Sequence, residues 1–488
     1  MNREIVLYTP ATGFPDLEAK IAYGLARTGL ETGAEVSIIP LEGLYKIIVE
    51  TEGRHVNINN SFHLLLKIIL SSQRFYDLGV KAKDKTKYPS SVKVSERLSK
   101  IDLVQMYQRS MKSDFEFTKS KQCGHKALKF GATKEDEKQL GGLIILASVH
   151  AGKPQYRDNR MRDLNLGLCD VCGYLNVLGK ESFCFTVQLG TGKNRKFVII
   201  TPIPNRTLGN LELTQLLSTQ KTLHNFWLSD LVPLDVFTLG LLAKVPSLSD
   251  LVNNLQLDFH LPLLSKDNRG DTVVEQTEIV NTIPFAKFIS RSGYNSATVD
   301  RLIGTYNSPP KIRSLIEITH IIKNPNILNL SKVARIYVQE TSPKNSDWVN
   351  LIYPVTAKYL LREVAMIKPE IIKNEALRSL ARTLRYFVRN KKYHYADSLR
   401  NARKESKDFD ETIVKMLREA ELRRIQEEEK KKAGKKYKFV NIPSEEEIKE
   451  VFQLANENFD EVKTAIVLLG LSFPSKGEEK IEEEVSND

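Results

Sequence analysis

The sequence predicts an α+β protein, in which a mixed α/β N-terminal and central region is followed by an all-helical C-terminal domain. Three observations predict it. Short β-branched runs alternate with helix-period segments over the first 75 residues. Further strand-like runs, and all four cysteines, fall between residues 76 and 345. From about Asp347 onward the apolar residues recur only at helical spacing. The chain has 488 residues, 41% of them hydrophobic, which is enough apolar material for several cores.

In the first stretch, Ile5–Tyr8 reads as a strand. Asp16 to Arg27 reads as a helix, because Leu17, Ile21 and Leu25 fall on one line, and Gly29 and Gly33 mark its end. Val36–Ile39 and Tyr45–Glu50 read as strands and Phe62–Leu70 as a second helix. The order β-α-β-β-α predicts a ferredoxin-like unit over residues 1–75, a scaffold that serves many purposes. Residues 76–345 form a mixed α/β region. It opens with a basic segment in which Lys81, Lys83, Lys85 and Lys87 alternate, and it holds strands at Phe197–Ile200 and Val333–Gln339 with mostly helical sequence over 211–265. Residues 346–473 form the helical domain. Within it, Arg423–Lys438 is a charge run, either an exposed helix or a linker, and Ser444 with Glu447 forms a capping box before a helical stretch that reaches about Leu471. Residues 474–488 carry six acids and two lysines and are expected to be a disordered acidic tail.

Charge narrows the function classes. Lys and Arg number 72 against 60 Asp and Glu, a net +12. That excess favours a polyanionic partner, although lysine- and glutamate-rich surfaces also arise from ion pairing in thermophilic proteins. The apolar start at Met1–Tyr8 breaks at Pro10, too soon for a signal core. The most apolar stretch, Leu231–Val245, is interrupted by Pro233, Asp235 and Lys244 and is too short to span a bilayer. Four cysteines in so long a chain do not make a disulfide framework. The expectation is a cytoplasmic protein with no membrane partner.

Enzyme signatures are missing. Gly190-Thr191-Gly192-Lys193 has Val187 and Asn194 where a phosphate loop needs glycine and Ser or Thr, so a hairpin turn is the better reading. None of the eight histidines precedes an aspartate, and no Gly-x-Ser-x-Gly elbow occurs. The chain is therefore expected to be non-catalytic. A nucleic-acid-modifying or RNA-processing enzyme with dispersed groups is one alternative, and a scaffold for acidic proteins is another.

Two local constellations carry chemistry. Cys123-Gly124-His125 lies upstream of Cys169-Asp170-Val171-Cys172-Gly173. A Cys-x-x-Cys followed by glycine is the form of a metal knuckle, and Cys123, His125, Cys169 and Cys172 make a soft four-ligand set suited to structural zinc in an insert of the central region. Cys184 or His150 could replace a member of the first pair, and unrelated reduced cysteines are the plainer reading. The second constellation is basic. Between Glu375 and Arg389, Leu377, Leu380, Leu384, Phe387 and Val388 form an apolar face, while Arg378, Arg382, Arg385 and Arg389 form a stripe beside it. Lys391 and Lys392 follow, with Tyr393 and Tyr395 available to stack on unpaired bases. Guanidinium forks suit phosphate, so the stripe predicts nucleic-acid contact, against the alternative of a solvated helix face. Lys153, Arg157, Arg160 and Arg162 around Tyr156 are a second basic candidate.

The stretches Leu7-Tyr8 with Gly13 to Arg27, and Leu377 to Arg389, together with the cysteine pairs and the helical C-terminal part, resemble the large subunit of archaeal type I CRISPR interference (Cascade) complexes. Some branches of that family carry two Cys-x-x-Cys pairs; here only Cys169 and Cys172 match that pattern. The resemblance implies a non-catalytic subunit of an RNA-guided antiviral DNA surveillance complex. Such a subunit binds guide RNA and target DNA beside the other subunits of the assembly. It reads the motif flanking the target and helps recruit a helicase-nuclease, while base pairing reads the sequence.

Overall fold

The computed structural model describes residues 4–11, 14–51, 56–71, 101–108, 170–189, 196–223, 227–228, 233–266, 272–293, 309–325 and 352–473, with four positions between 330 and 335. The chain divides into two compact units, Met1–Leu231 with Asp250–Ile283, and Val232–Ser249 with Pro284–Asp488. The architecture is α+β, with two small sheets and a helical C-terminal region.

The first unit begins with β1 (Glu4–Tyr8), α1 (Pro15–Leu30), β2 (Glu35–Leu41), β3 (Leu44–Glu50) and α2 (Ile58–Ser71). The sheet order is β1-β3-β2, antiparallel throughout, with Val6 opposite Ile48 and Ile38 opposite Ile47. This is the split β-α-β half of the ferredoxin-like arrangement, and among the described residues no fourth strand completes it. The unit does not end near residue 75. Beyond α3 (Leu103–Tyr107) come α4 (Asp170–Phe183), β4 (Phe185–Leu189), β5 (Lys196–Pro204), α5 (Asn210–Leu223), β6 (Trp227–Leu228), β7 (Leu257–Lys266) and β8 (Thr272–Asn281), the strands ordered β6-β4-β5-β7-β8. Helix α4 packs on α1 more extensively than any other helix does. Leu17, Ile21 and Leu25 are fully buried, as their spacing predicts. Asp16, Glu18 and Lys20 are buried as well, because α1 is covered on nearly every side. Strands β4 and β5 pair antiparallel with Leu189 opposite Lys196, and Gly190 to Lys193, expected as a hairpin turn, lie outside the described residues.

The second unit is helical among its described residues: α6 (Leu234–Lys244), the start of α7 (Pro246–Leu255), α8 (Ile283–Ser292), α9 (Pro309–Lys323), α10 (Pro354–Tyr359) running into a π-helical turn (Leu360–Val364), α11 (Pro369–Lys373), α12 (Glu375–Arg389), α13 (His394–Asn401), α14 (Asp408–Lys432), α15 (Glu445–Glu457) and α16 (Phe459–Leu471). The apolar stretch around Leu231–Val245 is mostly a buried helix, α6, and among the described residues no helix is long and apolar enough to cross a membrane. The unit draws in residues well before 346, since Lys323 of α9 reaches Asp235 of α6 at 2.9 Å. Ala334 and Arg335 are helical, which corrects that part of the strand expected over Val333–Gln339; its other residues lie outside the described ones. The capping box is present: the Ser444 hydroxyl accepts from the Glu447 amide at 3.2 Å and the Glu447 carboxylate accepts from the Ser444 amide at 2.7 Å. The charge run resolves into both of its alternatives, helix to Lys432 and then a non-helical segment up to the cap.

Candidate nucleic-acid interface

Helix α12 starts at Asn374, whose side chain accepts from the Leu377 amide at 2.9 Å. Leu377, Leu380, Leu384, Phe387 and Val388 are buried, and the helix packs on α16, α15, α14, α13 and α11. From Glu375 to Arg389 only five residues are not buried: Glu375 and the four arginines Arg378, Arg382, Arg385 and Arg389. The open side of this helix is thus a strip of guanidinium groups with one carboxylate at its start.

The four arginines are not equivalent. Glu375 takes Arg378 on one oxygen at 2.8 Å and Arg382 on the other at 3.1 Å, and Arg378 also donates from Nε to the Ile372 carbonyl at 3.1 Å. Arg385 donates to the Leu469 carbonyl at 3.3 Å and to the Ser472 hydroxyl at 3.4 Å, at the C-terminus of α16. A cation there satisfies a terminal carbonyl and complements the helix dipole. Arg389 lies over the Phe473 ring, 5.5 Å from its centroid. The stripe that the spacing predicts is present, but its members differ in what they hold. Arg378 and Arg385 fasten neighbouring backbone, Arg382 is 46% exposed, and Arg389 is exposed on an aromatic support.

The strip continues past the helix end. The Lys391 amide donates to the Val388 carbonyl and the Lys392 amide to the Phe387 carbonyl, which is the Schellman pattern. Its left-handed position is held by Lys391, with φ +62°, where glycine is the easy residue. Lys391 is exposed, whereas Lys392 pairs with Glu419 of α14. Tyr395 donates to the other Glu419 oxygen at 2.7 Å. Burial opposes the charge on Glu419, yet these two partners hold it below the usual carboxylate range. Burial, then the bond to Glu419, push the Tyr395 phenol up. Tyr393 and Tyr395 are both buried, so neither offers the stacking face expected of it. Lys438 reaches the strip from the chain beyond α14, donating to the Asn390 side chain at 2.6 Å.

Of the zinc set, Cys123, His125 and Cys169 lie outside the described residues, as do Lys153, Arg157, Arg160 and Arg162 of the second basic candidate and His150. Cys172 is described, and its setting differs from a knuckle. It and Gly173 sit inside α4, its side chain is fully buried, and its sulfur lies 3.0 Å from the Tyr107 hydroxyl. Cys184 is buried beside Thr201, and burial pushes its thiol up, away from the thiolate a metal would need. Among the described residues no group of three or more His, Cys, Asp or Glu side chains is placed to hold a metal ion.

A polar cluster in the first unit escaped the sequence reading. Lys20 pairs with Asp16 at 3.3 Å; His260 of β7 places Nδ1 3.8 Å from the same Asp16 oxygen and Nε2 2.9 Å from the Thr277 hydroxyl. Asp16, Lys20 and His260 are each at most 2% exposed. No spacing rule signals it, because its members lie 240 residues apart in the chain. Buried charges persist when paired, and this cluster ties α1 to the second sheet. No protein-family model matches the chain, and no curated protein is detectably similar to it.

Proposed function

We propose that the chain is a non-catalytic nucleic-acid-binding protein whose second unit grips the phosphate backbone through the open side of α12. The observation that carries this reading is the composition of that open side: on a helix otherwise buried, only Glu375 and four arginines reach the surface. A solvated face needs only polar groups, and glutamine or serine would serve. Arginines fixed on packed backbone lose little freedom when they meet phosphate. The continuation into exposed Lys391 supports the same reading. At the scale of an assembly, the resemblance to large subunits of type I interference complexes would make this the surface that follows guide RNA or target DNA, beside further subunits and a helicase-nuclease.

The test is the Arg382→Ala/Arg389→Ala double variant of the full chain, assayed for affinity to DNA and RNA at several salt concentrations. The expected outcome is weaker binding across sequences, since phosphate contacts position without specifying bases. The log–log salt slope should flatten by about one unit for each phosphate that is no longer neutralised. Wild-type affinity and slope in the variant would make the strip a protein-docking or purely solvated face. Arg385 is left in place, because it caps α16.

A further inference from the structure

We infer that residues 430–439, at the end of α14, form a stacking platform for single-stranded nucleic acid. The inference rests on the nucleic-acid reading proposed for α12 and names the form of polymer that the second unit takes.

Six lysines fall within nine residues, Lys430, Lys431, Lys432, Lys435, Lys436 and Lys438, with no acid from 430 to 439. All ten residues of this stretch are exposed. Tyr437 and Phe439 are among them, at 47% and 58% exposure. Lysines at a helix C-terminus have an ordinary explanation, because they offset the negative end of the dipole. That explanation does not reach two exposed aromatic rings two residues apart. Apolar rings set among cations suit a polymer that has both phosphates and unpaired base faces. A duplex presents phosphates alone to such a surface, since its bases are stacked inside.

The segment is held rather than loose. Gly434, at φ +66°, allows the turn, with the Gly434 amide donating to the Lys431 carbonyl and the Lys435 amide to the Lys430 carbonyl. Glu427 pins both arms: one oxygen accepts from Lys430 at 2.6 Å and the other from the Lys438 amide at 2.7 Å. These bonds, led by the one from Lys430, keep its carboxyl below the usual range. The Lys438 side chain turns to Asn390, so the segment adjoins the end of the arginine strip. Lys431 stands over the Tyr437 ring, 5.2 Å from its centroid, and steadies it while about half of that residue stays in solvent.

The test compares the full chain with Tyr437→Ala/Phe439→Ala and, separately, with Lys432→Ala/Lys435→Ala/Lys436→Ala. Binding is read by fluorescence anisotropy on an oligothymidylate of about 20 nucleotides, longer than ordinary single-strand footprints, and on a duplex of equal length. The aromatic variant should lose about 10- to 100-fold on the single strand and keep its duplex affinity. The lysine variant should weaken both and flatten both salt slopes. Equal losses on the two polymers, or no loss on the single strand, overturns the platform while leaving the α12 strip standing. Displacement of the oligonucleotide by polyglutamate at matched charge would also overturn it, making the surface a general polyanion contact. A wild-type chain that binds neither polymer overturns both readings. Thermal unfolding of each variant confirms that loss of binding is not loss of fold.

Discussion

Lys391 and Gly434 occupy the same position in the same motif, the left-handed residue that closes a Schellman turn at the end of a helix. Glycine adopts that backbone freely. An L-residue pays roughly 1–2 kcal/mol to stand there, and glycine in turn gives back roughly 0.5–1 kcal/mol of unfolded-chain entropy. Lys391→Gly should therefore stabilise the second unit by about 0.5–1 kcal/mol, a rise of a few degrees in melting temperature. If the lysine serves binding, the same variant should also bind nucleic acid more weakly, by one phosphate in the salt slope. Higher stability with unchanged binding would leave the lysine as strain without use. The sequence displays a basic run at this point but not its backbone. Nothing in Asn390-Lys391-Lys392 marks the middle residue as the left-handed one, whereas Ala433-Gly434-Lys435 announces its turn. The buried tyrosines were equally hidden, because exposure of an aromatic beside lysines depends on which helix covers it. Here α14 supplies Glu419 and covers Tyr395, while Tyr437 and Phe439 are left bare.

Between elements, close approach of backbones decides what can change. A Cβ on Gly179 of α4 would lie 1.9 Å from the Lys20 carbonyl oxygen of α1, and one on Gly24 would lie 2.2 Å from the Leu175 carbonyl oxygen. Neither oxygen can rotate aside, so the two helices would have to part. Gly179→Ala and Gly24→Ala should each destabilise the first unit by about 3 kcal/mol or more, at or beyond the upper end for overpacking. Gly470→Ala meets the Leu384 side chain instead, at 2.6 Å, and should cost less because a side chain can shift. Chemical denaturation of the three variants checks the ranking; an unperturbed Gly179→Ala protein would mean that α1 and α4 do not meet at this crossing. The pairing of these helices was not legible in the sequence. The apolar line Leu17, Ile21, Leu25 is read directly from its period, but a glycine at a helix crossing leaves no period, and its partner lies about 150 residues away. With α4 unseen, the unit read as ending near residue 75. In the C-terminal part, α12 and the start of α15 were legible nearly to the residue, because their signals are local: the leucine face of α12 and the Ser444–Glu447 box; the break at Asn458 between α15 and α16 was not legible.

For the whole molecule, charge is distributed as unevenly as structure. The residues after Phe473 carry six acids and two lysines, a net −4, so the remainder of the chain carries +16 against a total of +12. The last described residue, Phe473, lies under Arg389 at the end of the arginine strip, and its amide bonds to the Ile352 carbonyl. Residues 474–488 lie outside the described residues and follow Phe473 directly in the chain. Acids joined to the chain at that point would compete with nucleic acid for the same cations wherever charges interact over a Debye length, if the second unit binds it as proposed. Ending the chain at Phe473 should therefore tighten single-strand binding several-fold at low salt, where fields reach about 30 Å. The gain should shrink toward nothing near 1 M salt, where they reach about 3 Å. The full-length and shortened chains, titrated with the same oligonucleotide across that range, supply the comparison. Converging curves are expected if competition is electrostatic. Curves that coincide at every salt concentration would mean that the acidic residues do not compete for the basic surface. A gap that persists unchanged at high salt would assign the tail a structural effect on the second unit rather than an electrostatic one.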